Sequence, residues 1–166
     1  MNEKFLCVMA GYDEPTEAHL SSLQNELYKA GFIGTHTKNL PQHITLATYP
    51  LERESEILAL VKDVAAKTER FDITINHIGL FGGSKVCFIV PDPNTKLLDL
   101  KECFGDSHNW TPHTTMLIDE PARIFEAIPV LAEHFTAFQG KVEYIHLYEF
   151  WPAKRLLTLE FSNYVV

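Results

Sequence analysis

The sequence has no long hydrophobic run and few cysteines. The first shortage bears on membrane insertion, and the second bears on the redox state of the thiols. No apolar stretch approaches the roughly 20 residues that a membrane-spanning helix requires. Residues 1–4 show no signal-peptide pattern, because no long apolar run follows a basic stretch. Of the three cysteines, Cys7 and Cys87 lie in apolar, strand-like runs, which is typical of reduced, buried thiols. We therefore expect a cytoplasmic protein that makes no membrane contact.

Basic residues are also scarce. The chain has 14 lysines and arginines against 22 aspartates and glutamates, which gives a formal net charge of −8, and it has no polybasic run. A protein that holds a long nucleic acid needs several phosphate contacts from lysine and arginine. We therefore expect no extended nucleic-acid track, whereas a small anionic ligand needs only two or three donors. The length of 166 residues suits a single domain, and we expect a monomer.

One pattern, His-x-Thr-apolar, occurs twice in the sequence, at His43–Leu46 and at His113–Met116. The second copy begins 70 residues after the first (113 minus 43), so the two copies are not neighbours in one loop. In an extended strand, residues i and i+2 point to the same face. Each copy therefore projects one imidazole and one hydroxyl side by side, and two such strands brought together predict a site with two histidines and two threonines.

The segments that follow the two motifs also match. Each motif is followed by a charged or proline-containing break, a helical stretch, an alternating segment, a turn and a last apolar strand, over roughly 43–90 and 113–161. The corresponding positions after the two histidines, offset by one residue, are His77 with His146, Phe81 with Phe150, and Lys85 with Lys154. A repeat of two copies predicts a pseudo-symmetric pair of lobes rather than a solenoid, which requires at least three units.

The coarse pattern predicts one α+β domain over residues 1–166. Lys4–Ala10 is an apolar strand, Pro15–Ala30 is a helix with Gly31 at its carboxyl end, and Thr95–Phe104 is a short helix. We expect two pseudo-symmetric strand–helix–hairpin lobes whose antiparallel sheets face a central cleft. The apolar alternates of each motif strand, such as Ile44, would face the helices, and the histidines and threonines would face the other lobe.

Two histidines on either side of a bound phosphate suit proton transfer. One accepts a proton from the attacking hydroxyl or water and the other gives a proton to the departing oxygen, and an ordinary pKa near 6.5 makes both forms available. Threonine hydroxyls donate to the phosphate oxygens. This scheme needs no metal and no cofactor. A zinc site made by His43, His113, His77 and His146 is the competing enzyme class, but each motif offers one ligand only, and no carboxylate or cysteine recurs at ligand spacing.

The doubled motif, the strand–helix–hairpin repeat around each copy and the chain length resemble the 2H phosphoesterase superfamily, and within it the 2′-5′ RNA ligase-like proteins. The resemblance implies a bilobal α+β fold with the active cleft between the lobes. It further implies that His43 and His113 are catalytic and that Thr45 and Thr115 bind the phosphate. The implied activity is the opening of a 2′,3′-cyclic phosphate or a related small cyclic phosphodiester. The alternatives are 2′-5′ ligation of RNA ends and binding of a nucleotide or RNA end without turnover.

Three further side chains are candidates for substrate binding. Phe81 and Phe150 either flank the cleft and stack on a base or pack in the core. Tyr49 has the same strand parity as His43 and Thr45 and would line the mouth of the cleft. For His77 and His146 we favour structural or rim positions, and for Lys85 and Lys154 solvated turns. The predicted partner is a small cyclic phosphodiester or an RNA terminus.

Overall fold

The computed structural model describes residues 3–163 and has the predicted α+β architecture. The strands are β1 (Phe5–Tyr12), β2 (His43–Pro50), β3 (Phe71–Leu80), β4 (Val86–Pro91), β5 (Thr114–Ile118), β6 (Phe138–Phe150) and β7 (Lys154–Glu160). The helices are α1 (Glu14–Lys29), α2 (Glu54–Lys67), α3 (Thr95–Glu102) and α4 (Pro121–His134), and a 3₁₀ turn, Leu51–Arg53, precedes α2. None of the described helices is both long and apolar enough to cross a membrane.

The seven strands form one antiparallel sheet in the order β2-β1-β6-β3-β4-β5, with β7 paired to β6. The long strand β6 connects two halves of this sheet. One edge of β6 pairs with β1, while the other edge pairs first with β3, over Phe138–Val142, and then with β7, over Tyr144–Glu149. The first half is therefore β2-β1-β6-β7, and the second half is β3-β4-β5.

The two repeats are interleaved, whereas we expected each repeat to form its own lobe. Strand β5 of the second repeat pairs with β4 of the first, and β2 of the first repeat shares its half of the sheet with β6 and β7 of the second. The helix after each motif strand explains this exchange. At 14 residues, α2 and α4 are each long enough to carry the chain about 21 Å across the sheet, to the half that contains the other motif strand.

One face of the sheet packs against the helices and makes the core. Helix α1 begins at Asp13, whose side chain accepts a hydrogen bond from the Thr16 backbone, and it ends before Gly31, which has a φ of +88°. Both the apolar stripe of α1 and the glycine at its end are as the sequence predicted. The buried positions of that stripe are Leu20, Leu23 and Leu27.

Each motif strand contains a β-bulge at the fourth position of the motif. On β1, Val8 and Met9 pair with Ala47 and Thr45, so Leu46 has no partner of its own. Met116 is skipped in the same way in the pairing of β4 with β5. A bulge reverses the alternation of side chains along the rest of the strand. The side chains of Leu46 and Met116 are 2% and 0% exposed in the core, while the motif histidines and threonines lie on the opposite, cleft face.

Candidate active site

Side-chain hydrogen bonds join the two motif strands, although β2 and β5 lie at opposite ends of the strand order. Thr114 Oγ1 donates to the main-chain oxygen of His43 at 3.0 Å. Because a threonine hydroxyl has a single proton, the Tyr12 hydroxyl must donate the 2.6 Å bond between Tyr12 and Thr114. Trp110, just before the second motif, donates from Nε1 to the main-chain oxygen of Thr45 at 3.1 Å. These bonds hold the two motifs side by side.

The two motif histidines are oriented in the same way. His43 Nδ1 lies 2.7 Å from the main-chain oxygen of Pro41, and His113 Nδ1 lies 2.8 Å from that of Thr111. A carbonyl oxygen can only accept, so Nδ1 carries the proton in both rings. In the neutral form, each histidine therefore keeps the lone pair of Nε2 free to accept a proton.

The surroundings of these rings favour their neutral forms. Burial lowers the pKa of His43, and the nearby His113 lowers it further, while the bond to Pro41 partly opposes both effects. Burial also lowers the pKa of His113, against the opposing effect of its bond to Thr111. A bound phosphate would supply the opposite charge that favours protonation of one ring. The pair can therefore present one base and, with an anion bound, one acid.

Phe81 lies at the site, in contact with a motif histidine. Its ring centroid is 4.7 Å from that of His113 in an edge-on arrangement, and Phe88 lies 5.0 Å from His113 on the inner side. A Cβ atom at Gly79 would come within 2.3 Å of the Phe88 ring, so glycine makes room for this packing. Phe81 is 37% exposed and is thus available to a ligand.

A cavity of about 270 Å³ opens beside the first motif and includes three of the four polar motif side chains. It runs along β2 to Phe150 and, in the other direction, to the end of β5. Its lining residues are Phe5, Cys7, Gln24, His36, Thr37, Leu40, Pro41, Gln42, His43, Thr45, Thr48, Thr114, Thr115, Ile118, Phe150 and Trp151. Burial raises the pKa of the Cys7 thiol to about 11, so Cys7 is not a ready nucleophile.

The most exposed aromatic residue of the cavity lining is Trp151, which the sequence did not single out. Phe150 lines the cavity but is only 4% exposed, and its ring stacks on Phe5 with centroids 5.6 Å apart. The Trp151 ring is 49% exposed and lies 4.7 Å from that of Phe150. The only sequence signal for Trp151 was its position next to Phe150 at the hairpin turn.

Tyr49 does not line this cavity, contrary to the prediction from strand parity. The bulge at Leu46 reverses the parity of β2, so Thr48 lines the cavity instead. The Tyr49 hydroxyl donates to the main-chain oxygen of Phe104 at 2.6 Å, and the ring packs against the main core. The guanidinium of Arg53 lies over this ring, 4.9 Å from its centroid.

The remaining histidine candidates, His77 and His146, lie in different environments. His77 is exposed and bonds to Asp92 at 2.7 Å, whereas His146 is 8% exposed on the cleft face of β6, with Nδ1 2.8 Å from Thr158 Oγ1. Lys85 and Lys154 each lie beside a glutamate. In the part of the chain that the structure describes, no three His, Cys, Asp or Glu side chains are grouped as metal ligands would be. The four-histidine zinc site is therefore not assembled.

Comparisons with known proteins indicate the family and the fold of the chain. A family model described as the 2′-5′ RNA ligase superfamily matches residues 12–150. No curated protein matches the chain. Among solved structures, TT0787 of Thermus thermophilus has a TM-score of 0.66 and 17% identity, with 95% of this chain and 97% of that chain covered.

Two structures of E. coli LigT are similar as well. The apo form has a TM-score of 0.63 and 15% identity, with 96% of this chain and 98% of that chain covered. The form in complex with 3′-AMP has a TM-score of 0.61, 15% identity and the same coverage, 96% and 98%. At identities this low, the likeness to solved structures establishes the shared fold.

Proposed function

The chain belongs to the 2′-5′ RNA ligase superfamily and is an enzyme of the 2H phosphoesterase kind, and on that premise we propose that it opens a 2′,3′-cyclic phosphate or a related small cyclic phosphodiester. The observation that carries this proposal is the matched pair of histidines, His43 and His113. In both rings Nδ1 donates to a main-chain oxygen and Nε2 is free. The hydrogen bond from Thr114 to the main chain of His43 joins the two strands.

In the proposed reaction, the neutral imidazole of one histidine accepts a proton from water through Nε2. The oxygen of that water forms a bond to phosphorus, the bond from phosphorus to one ribose oxygen breaks, and the protonated imidazole of the other histidine gives that oxygen its proton. The hydroxyls of Thr45 and Thr115 donate to the non-bridging oxygens as negative charge grows on them. The histidines move both protons, so the scheme requires no metal ion.

Size and charge favour a small substrate. The cavity of about 270 Å³ is close to the lower limit of small-molecule pockets, about 300 Å³. A net charge of −8 gives no long-range attraction to a polyanion. E. coli LigT has been crystallised with 3′-AMP and with ATP. We therefore infer a nucleotide-sized substrate whose base lies against Trp151, which packs on Phe150, with Phe81 on the far side of His113.

The second candidate is 2′-5′ ligation of RNA ends. In that reaction, a hydroxyl of a second RNA replaces water as the nucleophile. One observation favours it: the cavity continues in both directions from Thr45 and Thr115, toward Phe150 along β2 and toward Ile118 along β5. Substituents on both sides of the phosphate would have room there.

Turnover measured on a panel of substrates distinguishes hydrolysis, ligation and binding without turnover. The purified chain is incubated with the four 2′,3′-cyclic mononucleotides, and with cyclic-phosphate RNA plus a 5′-hydroxyl RNA, each with and without EDTA. We expect hydrolysis of the mononucleotides that EDTA leaves unchanged. Joined RNA without mononucleotide hydrolysis would favour the ligase, binding without turnover would indicate a non-catalytic protein, and activity lost to EDTA and restored by zinc or manganese would contradict the two-histidine scheme.

A further inference from the structure

A third imidazole lies near the first motif histidine, His43, because β1 has a glycine at this position. Gly11 pairs with His43 on one side and with Tyr144 on the other. A Cβ atom placed on Gly11 would lie only 2.2 Å from Nε2 of His146 and 2.9 Å from its Cδ2. The His146 ring therefore covers Gly11 and fills the space that any larger residue would occupy.

This arrangement places His146 close to the first motif. Directly opposed residues on antiparallel strands point to the same face, with Cβ atoms about 4.5–5.5 Å apart. Since Nε2 of His146 lies only 2.2 Å from the position that a Cβ of residue 11 would take, it lies within roughly 8 Å of the Cβ of His43. The electrostatic effect of His43 on His146 agrees with this proximity.

The ring of His146 is fixed at one nitrogen and open at the other. Nδ1 lies 2.8 Å from Thr158 Oγ1. Nε2 has no hydrogen-bond partner among residues 3–163. It is nevertheless not a buried, unsatisfied atom, because within those residues the one side-chain nitrogen or oxygen that lacks both solvent access and a partner is Nδ1 of His36. Nε2 of His146 is therefore accessible on the cleft face, although His146 is not among the residues that line the cavity of about 270 Å³. Burial, and to a lesser extent His43 and Arg155, lower the pKa of His146 to about 4, so the ring is neutral where the motif histidines exchange protons.

We propose that His146 is a substrate-contacting residue whose Nε2 hydrogen-bonds an uncharged sugar oxygen of the bound nucleotide, next to the phosphate. The proposal rests on the proposed function, because it takes the phosphate to lie between the motif histidines. A neutral imidazole suits a sugar oxygen, whereas Thr45, Thr115 and a protonated motif histidine supply the donors for the charged phosphate. His146 then sets affinity for the nucleoside part of the ligand and takes no part in proton transfer.

The first repeat provides a matched control. His77 occupies the equivalent position on β3, but it is exposed and bonded to Asp92, and Phe88 rather than a histidine covers the glycine near it, Gly79. His146→Asn retains an amide that can replace Nδ1 toward Thr158 and has no atom at the position of Nε2. His146→Gln places an amide near that position instead.

The experiment measures the dissociation constants of 3′-AMP and of inorganic phosphate by calorimetry for the wild type, His146→Asn, His146→Gln and His77→Asn. We expect His146→Asn to weaken 3′-AMP binding about three- to tenfold, the scale of one hydrogen bond, and to leave phosphate binding unchanged. His146→Gln should recover part of the loss, and His77→Asn should change neither constant. The melting temperature of each variant reports whether it is folded, and His146→Gln keeps the test available if His146→Asn unfolds.

An equal loss for both probes in His146→Asn, or no loss for either, would overturn the inference. Failure of the proposed function has a different signature. If the wild type binds 3′-AMP but opens no cyclic phosphodiester, the proposed reaction is wrong, while the difference between the two probes still decides the role of His146. A wild type that binds neither probe would contradict both.

Discussion

His43 and His113 hold their rings alike, each through an Nδ1 bond to the main-chain oxygen two residues earlier, whereas the hairpins of the two repeats differ. His77 is exposed and its counterpart His146 is buried on the cleft face. Phe81 is half-exposed beside a motif histidine, while Phe150 is packed beneath Trp151. Under the proposed function, symmetry is retained where two equivalent proton carriers are needed and is lost where one asymmetric ligand would bind.

The largest expected effect tests the symmetric part. His43→Ala and His113→Ala should each reduce kcat/KM for 2′,3′-cyclic AMP by roughly 10²–10⁴-fold, because each removes one proton-transfer group. Both variants should melt like the wild type, and His77→Ala serves as the control. If only one of the two alanine variants lost activity, the equivalence of the motifs would be wrong.

Thr114→Val tests the bonds that join the motifs. It leaves the main-chain oxygen of His43 and the hydroxyl of Tyr12 without their buried partner, which should lower the free energy of unfolding by about 1–3 kcal/mol. Turnover should fall roughly tenfold, since misplacement of about 1 Å can cost as much as 10²-fold. Thr114→Ser keeps the hydroxyl and should restore both; urea unfolding and initial rates measure the two effects. A valine variant with normal rates would show that the motifs need no such bond.

Trp151→Ala tests the asymmetric part. Loss of a half-exposed stacking surface should raise KM for 2′,3′-cyclic AMP by about fivefold, with little change in kcat. A fivefold change corresponds to the lower end of the binding energy of a base stacked on an aromatic ring, about 1–3 kcal/mol. Phe81→Ala is the comparison at the other hairpin, and because Phe81 touches His113 it should lower kcat as well. Identical kinetic changes in the two variants would argue against different roles for the hairpins.

A further effect concerns the pH dependence of stability. The folded-state pKa of His146 is about 4, below the ordinary histidine value, so the unfolded chain binds more protons between the two values. Its contribution to stability is therefore complete above about pH 6.5 and is lost as the pH falls toward 4. Urea unfolding of His146→Asn should show a weaker decline over this range than the wild type. A parallel decline in both proteins would show that other groups control it.

The parts of the structure that follow from local pattern were predictable from the sequence. The parity of His43 with Thr45, the leucine stripe of α1 and the glycine at its end depend only on neighbouring residues. The position of Tyr49 was wrong because a bulge is a property of a strand pair, and nothing in β2 alone reveals that Leu46 lacks a partner. The bond from Tyr12 to Thr114 was missed because the pairing of remote segments creates it.

The interleaving of the repeats was missed for a similar reason. The length of α2 predicts that the chain crosses the sheet. Which strand the next hairpin pairs with, however, depends on the arrangement of all the strands. The exposure of Trp151 likewise depends on how the last hairpin lies against Phe5 and Phe150. Sequence pattern thus predicted local features of strands and helices better than the contacts between remote segments.

The pH dependence of kcat/KM for 2′,3′-cyclic AMP, in EDTA, tests the two-histidine account most directly. In the proposed mechanism the rate requires one neutral and one protonated imidazole, and the pKa of both rings is lowered from the ordinary value of about 6.5. The account predicts a bell-shaped profile with its maximum below pH 6.5, whose two limbs belong to the histidine pair as a whole. His43→Ala and His113→Ala should each abolish the bell in the residual activity. A wild-type profile that rises steadily through pH 8, or a bell retained in both variants, would contradict the account.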